Sequence, residues 1–159
     1  MTETKYYVTK QGFQKIEKDY QNLLEFKKKK TTGDEVPSIW HSEEVNSDYL
    51  AFQEDMSLLE AKLVELELIL KNAELITLPP KKDRGIVSIG ARITVKVDDG
   101  QVDEFDIVGT IEANPSLGRI SNESPVGNAF LGKKMGEEVV VSSPKKTVYR
   151  IVKIQYVLS

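Results

Sequence analysis

The chain has 159 residues, 30% of them charged, a net charge of −3 and no cysteine. The lack of cysteine excludes disulfides and thiolate metal sites, and no apolar run is long enough to predict a membrane span or a signal peptide. We therefore expect a soluble, cytoplasmic protein. The charge is −5 over residues 1–76 and +2 over residues 77–159, so the half with helical patterns is the acidic one. The small net charge argues against general coating of nucleic acid.

The first predicted element is an amphipathic helix that follows Thr9, a residue type that caps helix N-termini. Apolar and long side chains then recur at alternating steps of three and four, at Phe13, Ile16, Tyr20, Leu23, Lys27 and Lys30. Gly33 interrupts this pattern. Asp34 then predicts the cap of a short resumed helix, with Pro37 tolerated in its first turn. The chain must reverse between His41 and Asn46, which we predict to be the tip of a helical hairpin.

The longest pattern predicts a second helix from about Asn46 to Leu75. Its apolar seam has the 3.5-residue period of a coiled coil, with charged residues on both sides. The seam consists of Tyr49, Phe52, Met56, Leu59, Leu63, Leu66, Leu70 and Ala73. At 1.5 Å per residue such a helix would be roughly 45 Å long. Two helices with matching seams predict an antiparallel coiled-coil hairpin over residues 1–77.

The second half changes to the two-residue period of strands. Residues 78–85 are predicted to be a linker, because the Pro79-Pro80 pair does not continue a helix. Strands are predicted at residues 91–97, 102–108, 138–142 and 147–157, with a hairpin turn at 98–100 and a short helix at 128–133 that ends at Gly132. We therefore expect residues 86–159 to form an antiparallel β-sheet domain with one short helix, which makes the whole chain α+β.

Several segments together resemble the bacterial transcript cleavage factors of the GreA/GreB family. In the second half these are Val108-Gly-Thr-Ile-Glu-Ala-Asn114, Arg119-Ile-Ser121, Ser124-Pro125, Gly127 and Ala129-Phe-Leu-Gly-Lys133. In the first half they are Val8-Thr-Lys-Gln-Gly-Phe13, Asn46-Ser-Asp-Tyr49, Leu59-Glu60 and Asn72-Ala-Glu-Leu-Ile76. The resemblance covers nearly the whole chain, with the two domains in the expected order.

The resemblance implies a fold, a partner and a mechanism. In such factors the C-terminal domain is FKBP-like and docks on RNA polymerase near the entrance of its secondary channel, and the coiled coil extends down that channel. Two acidic residues at the tip help to hold the second catalytic Mg²⁺ of the polymerase, which then hydrolyses the 3′ end of a backtracked transcript. The factor is accordingly expected to be a monomeric accessory protein rather than an enzyme. It would contact the nascent RNA, share Mg²⁺ with the polymerase and bind no cofactor stably alone, and DNA binding is a further expectation.

The predicted tip departs from the family pattern. From Thr9 to Tyr49 the chain is one residue shorter than a typical member, and a gap placed in the tip aligns Glu43 with the first functional acid and Glu44 or Val45 with the second. Adjacent side chains point about 100° apart on a helix, whereas in a turn they can converge on one ion. Two interpretations therefore stay open. Either Glu43 and Glu44 assist Mg²⁺, or they form a solvated turn and the protein occupies the channel as a regulator that does not stimulate cleavage.

Two further groups of residues are candidate contacts. Lys27, Lys28, Lys29, Lys30 and His41 are candidates for contact with RNA phosphates; the alternatives are a solvated charge run and a histidine that packs the turn. Ser124, Pro125, Gly127 and Lys133 are candidates for polymerase binding; alternatively the Pro and Gly only set a turn before the short helix. An FKBP-like fold also suggests peptidyl-prolyl isomerase activity as an alternative function, and that activity needs an aromatic-lined pocket. The domain offers Phe105, Phe130, Tyr149 and Tyr156 for it, and the fold alone does not establish that activity.

Overall fold

A computed structural model describes residues 4–32, 47–142 and 145–156. The chain forms two compact units: Gln14–Asn72 is the first, and Met1–Phe13 together with Ala73–Ser159 is the second. We refer to them as the helical unit and the sheet unit. Within the described ranges, no helix is long and apolar enough to cross a membrane.

The helical unit consists of most of helix α1 (Lys10–Thr31) and all of helix α2 (Ser47–Lys71). Their direction follows from two contacts. Tyr20 of α1 lines the same cleft as Leu70 near the end of α2, whereas Lys27, two turns later on α1, lies 3.5 Å from Glu60, earlier on α2. Positions later on α1 therefore lie beside positions earlier on α2, so the two helices run in opposite directions. The predicted antiparallel hairpin is therefore confirmed in the described part of the unit.

The predicted seam faces the inside of the hairpin, but the predicted end of α2 is wrong. Leu63 and Leu66 are buried, and the other seam residues on α2 are half-buried. Helix α2 ends at Lys71, so it is 25 residues and about 38 Å long rather than roughly 45 Å. The reason is that Ala73–Leu75 form strand β2, which pairs in parallel with strand β1 (Tyr6–Val8). Pairing with a strand almost seventy residues earlier overrides the local helical pattern.

The sheet unit contains a five-stranded sheet with the spatial order β5-β4-β3-β7-β6. Its strands are β3 (Arg92–Val97), β4 (Val102–Val108), β5 (Arg119–Ser121), β6 (Glu138–Val141) and β7 (Thr147–Gln155). The predicted turn between β3 and β4 is confirmed, with Gly100 at a φ of 90° that favours glycine. The predicted antiparallel sheet is corrected to a mixed one, because β5 pairs in parallel with β4. The connection between them, residues 109–118, brings the chain back beside Asp106, so that β5 pairs with the last three residues of β4.

The core of the sheet unit lies between one face of the sheet and helix α3 (Pro125–Phe130). Its buried members are Val87, Ala91, Ile93, Val95, Ile107, Phe130, Val139, Val141 and Ile151. The predicted helix at 128–133 is displaced: α3 begins three residues earlier, because the Ser124 side chain caps it and Pro125 is favourable at the first helical position. Gly132 follows the helix with a φ of 81°.

The sheet unit includes residues that the sequence pattern assigned to the hairpin or the linker. Strands β1 and β2 and the first turn of α1 belong to it, as do residues 78–85. In that last stretch Lys81–Asp83 form a 3₁₀ helix, and Arg84 Nε donates a 3.0 Å hydrogen bond to the carbonyl of Pro79. The N-terminal strand β1 and the first turn of α1 thus belong to the same compact unit as the C-terminal half of the chain.

Candidate functional site

The predicted tip residues Glu43, Glu44 and His41 lie outside the described residues. Their role at a shared Mg²⁺ and at RNA therefore stays a prediction. Within residues 4–32, 47–142 and 145–156, no group of three or more His, Cys, Asp or Glu side chains is placed to hold a metal ion.

The four predicted RNA-contact lysines lie at the C-terminal end of α1, three of them in its last turn, and divide into two pairs. Lys27 is half-buried and ion-paired to Glu60 at 3.5 Å, so it ties the two helices together. The ammonium of Lys30 lies over the ring of Phe26, 5.4 Å from the ring centre, as a cation–π contact. The remaining two lysines, at positions 28 and 29, are exposed. These two are the better placed to meet a phosphate, and all four also suit the negative end of the helix dipole.

The four predicted polymerase-binding residues lie in and beside α3, and two of them have structural roles. The Ser124 hydroxyl accepts a 3.1 Å hydrogen bond from the N–H of Gly127 and donates a 2.7 Å bond to the carbonyl of Ser121. Gly127 is buried, and a Cβ at this position would collide with the same Ser121 carbonyl. Pro125 is exposed and Lys133 is half-buried. A partner surface here would therefore meet mainly Pro125 and the side chain of Lys133.

A polar network fastens the loop before α3 to the 3₁₀ helix at Thr110–Glu112. The Thr110 hydroxyl donates to the Glu123 carboxylate at 2.7 Å and lies 2.9 Å from the Ser121 hydroxyl. Thr110 has one hydroxyl proton, which the carboxylate takes, so Ser121 is the donor in the second bond. The backbone N–H of Glu123 in turn donates to the Ser121 hydroxyl at 3.1 Å. Two hydrogen bonds thus tie the loop that leads into α3 to Thr110, and a third lies within the loop itself.

The other end of the same 3₁₀ helix holds the start of α1. One carboxylate oxygen of Glu112 accepts the backbone N–H of Thr9 at 2.7 Å, and the other accepts the Thr9 hydroxyl at 2.6 Å. The Thr9 hydroxyl oxygen accepts the N–H of Gly12 at 3.0 Å, which confirms the predicted cap. Glu112 therefore completes the cap of α1 from 103 residues away. We call these three residues, Thr9, Gly12 and Glu112, the Glu112 clasp.

Two glycines allow the close approach that the clasp requires. A Cβ on Gly12 would overlap the Glu112 carboxylate, and a Cβ on Gly109 would overlap the carbonyl of Tyr7 in β1. Sequence reasoning missed the clasp, because Thr9 and Glu112 are separated by most of the chain. The available signal was that both glycines fall in the segments that resemble the GreA/GreB family.

The aromatic residues that could have lined an isomerase pocket pack on one another. The ring centres of Phe105, Phe130 and Tyr149 are 5.5 to 6.2 Å apart, and Phe130 is fully buried. The hydroxyl of Tyr156 accepts the backbone N–H of Ser88 at 3.0 Å and also contacts the Ile86 carbonyl. These rings fill and close the core, so no observation favours the isomerase alternative.

Comparison with known proteins identifies the class of this chain. A family model described as transcription elongation factor, GreA/GreB, C-terminal, matches residues 81–156. The transcription elongation factor GreA of Thermomicrobium roseum is 36% identical over 150 residues, which cover 93% of this chain and 96% of that protein. GreA of Clostridium acetobutylicum is 38% identical over 146 residues, 89% of this chain and 90% of that protein. The crystal structure of GreA factor homolog 1 of Thermus thermophilus aligns with a TM-score of 0.43 at 22% identity, covering 96% of this chain and 99% of that one.

The family model and the GreA relatives place the chain in the class of transcription elongation factors. The chain belongs to the GreA/GreB family, which confirms the resemblance found in its sequence. Membership makes it an accessory factor of transcription. The expected DNA binding has no support in these comparisons, and we do not propose it.

Proposed function

We propose that the protein binds bacterial RNA polymerase, inserts its helical hairpin into the secondary channel and stimulates the Mg²⁺-dependent cleavage of backtracked RNA by the polymerase. Family membership over nearly the whole chain carries this proposal. The hairpin supports it, since α2 alone is 25 residues, about 38 Å, and begins at Ser47, three residues after Glu44 in the sequence. The α2 N-terminus also favours acidic groups nearby through its dipole.

The chemical role of this chain would be to supply carboxylates. Two-metal phosphodiester hydrolysis needs ligands that complete the shell of the second ion, and Mg²⁺ prefers hard oxygen donors. Glu43 and Glu44 would be those donors, while the polymerase would contribute the substrate, the remaining ligands and the first ion. The nascent RNA would be met by Lys28 and Lys29 on the exposed side of α1.

A second candidate function is a channel-binding regulator that does not stimulate cleavage. One sequence observation favours it: the acids at the tip are adjacent rather than three residues apart. If Glu43 and Glu44 diverge, as on a helix, they cannot both reach one ion. The protein would then compete for the channel and slow elongation.

The test is transcript cleavage in a stalled, backtracked elongation complex of the cognate polymerase. With Mg²⁺ and the wild-type protein we expect faster release of 3′ RNA fragments than without the protein. The double variant Glu43→Ala/Glu44→Ala should lose this stimulation and keep its affinity for the polymerase. A matched control is Asp19→Ala/Glu25→Ala, which removes two exposed acids from the same hairpin and should leave stimulation unchanged.

Each outcome distinguishes the two functions. Tight binding of wild type without acceleration would reject cleavage stimulation and support the regulator. Loss of polymerase affinity in the tip variant would contradict a purely chemical role for the two acids. No binding of wild type to polymerase would reject both functions.

A further inference from the structure

Helix α2 carries apolar side chains on two opposite faces. The inner face packs against α1, as described above, with Leu63 and Leu66 buried. Yet four large apolar residues elsewhere on the same helix are exposed: Leu50 by 46%, Leu58 by 72%, Val64 by 65% and Leu68 by 50%. A surface helix normally keeps its apolar residues on one side, so a second apolar side needs its own explanation.

Three of these exposed residues, Leu50, Val64 and Leu68, form a line along the helix. At about 100° per residue, Leu50, Ala61 and Leu68 fall within about 20° of one another and Val64 lies about 40° to one side, whereas Leu58 lies about 80° to the other side, off the line. This line is opposite the buried one that contains Leu63 and Leu66. We call it the outer stripe and define it as Leu50, Ser57, Ala61, Val64 and Leu68, all exposed. It spans 18 residue steps, or about 27 Å.

The two small residues near the middle of the outer stripe, Ser57 and Ala61, form a shallow floor between the larger ones. One end of this surface is a cleft lined by Leu50, Ser57 and Leu58, together with Gln53 and Glu54 of the same helix. A row of large side chains around a small-residue floor is suited to receive the apolar ridge of another helix.

The rim of the outer stripe is acidic. Four glutamates flank it on both sides: Glu54, Glu60, Glu65 and Glu67. Lys27 neutralises Glu60 at 3.5 Å and Lys62 neutralises Glu65 at 2.9 Å. In the part of the chain that the structure describes, no cation lies within ion-pair distance of Glu54 or Glu67. The whole helix has six acidic residues against two lysines, so the surface attracts a basic partner.

We propose that the outer stripe is a docking surface for an amphipathic helix of RNA polymerase that has an apolar ridge flanked by lysine or arginine. This inference rests on the proposed function, and it adds a second contact that is independent of the tip acids. Charge disfavours a second copy of this chain as the occupant. An antiparallel α2 pair centred near Leu59 would place Glu60 beside its own copy and bring two acidic helices together.

The experiment is a binding titration of the full-length protein, labelled with a fluorophore, against core RNA polymerase. The test variant is Leu50→Gln/Val64→Gln/Leu68→Gln, which replaces the large apolar residues of the outer stripe by a residue that favours helix. We expect it to bind at least about tenfold more weakly than wild type, as for the centre of an interface. The control Val102→Gln/Val140→Gln removes two exposed apolar residues from the sheet unit, 59% and 51% exposed, and should bind like wild type. Far-UV circular dichroism verifies that all variants keep their helix content.

A charge variant and a crosslink test the identity of the occupant. Glu54→Lys/Glu67→Lys should also weaken binding, and its affinity should fall less steeply with salt than that of wild type. A benzophenone amino acid at position 64 should crosslink to the polymerase on irradiation, whereas the same group at position 102 should not.

The outcomes separate this inference from the proposed function. If wild type and the triple variant bind polymerase equally, the outer stripe is not the docking surface, and the proposed function stands. If wild type does not bind polymerase at all, both the proposed function and this inference are rejected. If wild type alone is a dimer by light scattering and the triple variant is a monomer, the stripe is a self-association surface and the inference is overturned.

Discussion

Replacement of Glu112 by glutamine should loosen the first turn of helix α1. Glutamine has nearly the same size, but it has one acceptor oxygen where glutamate has two. In the structure both oxygens are used, one by the Thr9 N–H at 2.7 Å and one by the Thr9 hydroxyl at 2.6 Å. In the variant an NH₂ group must face one of these donors, because Thr9 is only 6% exposed and water cannot easily replace the lost acceptor.

The size of the effect follows from the two bonds. A hydrogen bond to a charged group contributes about 1.5–3 kcal/mol, and leaving a buried donor without a partner costs about 1–3 kcal/mol. Removing the negative charge from the helix N-terminus costs a further ~0.3–1 kcal/mol of stability. Glu112 is half-buried and one bond survives, so we expect a loss of about 2 kcal/mol of local stability.

Amide hydrogen exchange is the suitable assay, because it reports opening of this turn separately from the helical unit. A loss of about 2 kcal/mol corresponds to roughly 30-fold faster exchange of the Thr9 and Gly12 amides. The seam amides near Leu66 should exchange as in wild type. The matched control is Glu104→Gln, which removes an exposed charge 3.6 Å from Arg92 and should cost well under about 1 kcal/mol. Equal exchange at Thr9 in both variants would refute the clasp as a stabilising contact.

Three further changes test other parts of the structure. Gly127→Ala should destabilise the sheet unit by about 1–3 kcal/mol in urea unfolding, because its Cβ would collide with a backbone carbonyl. Lys28→Gln/Lys29→Gln should lower the magnitude of the slope of log affinity for the elongation complex against log salt by about 1.4, if both exposed lysines meet RNA phosphates. Arg92→Lys should lower the free energy of unfolding by at most about 1 kcal/mol. The partly exposed ion pair with Asp106 would lose its bidentate geometry, in which two nitrogens of Arg92 lie 2.7 and 3.1 Å from the carboxylate oxygens.

Each of these has a result that would contradict it. An alanine at position 127 without loss of stability would show that α3 can shift away from the preceding loop. An unchanged salt slope would assign the two lysines to solubility alone. A large loss from Arg92→Lys would mean that the pair with Asp106 matters more than its exposure suggests. That pair also raises the pKa of Arg92, chiefly through the hydrogen bond to Asp106, so Arg92 stays charged.

Local patterns in the sequence determined most of the elements. Thr9 caps α1 as predicted, because a cap depends on a hydroxyl and an N–H three residues away. The helical seam predicted which face of α2 is buried, and the two-residue alternation predicted β3, β4, β6 and β7 to within a few residues. Gly100 predicted the hairpin turn from the sequence, because glycine readily adopts a positive φ such as the 90° it has there. The family resemblance, too, rested on short segments, most of them runs of consecutive residues in the chain.

The tertiary structure alone decided the features that depend on distant partners. Helix α2 stops at Lys71 because β2 finds its hydrogen bonds in β1, and the sheet is mixed because β5 returns to lie parallel to β4. The Glu112 clasp joins residues 103 positions apart, and no local periodicity can indicate such a pair. The outer stripe is a related case, since its residues read as an ordinary helical pattern until the structure shows which face is buried. The local propensity of consecutive residues determines that a helix or strand forms. The hydrogen bonds and packing between residues far apart in the sequence determine where that element ends and which of its side chains remain exposed.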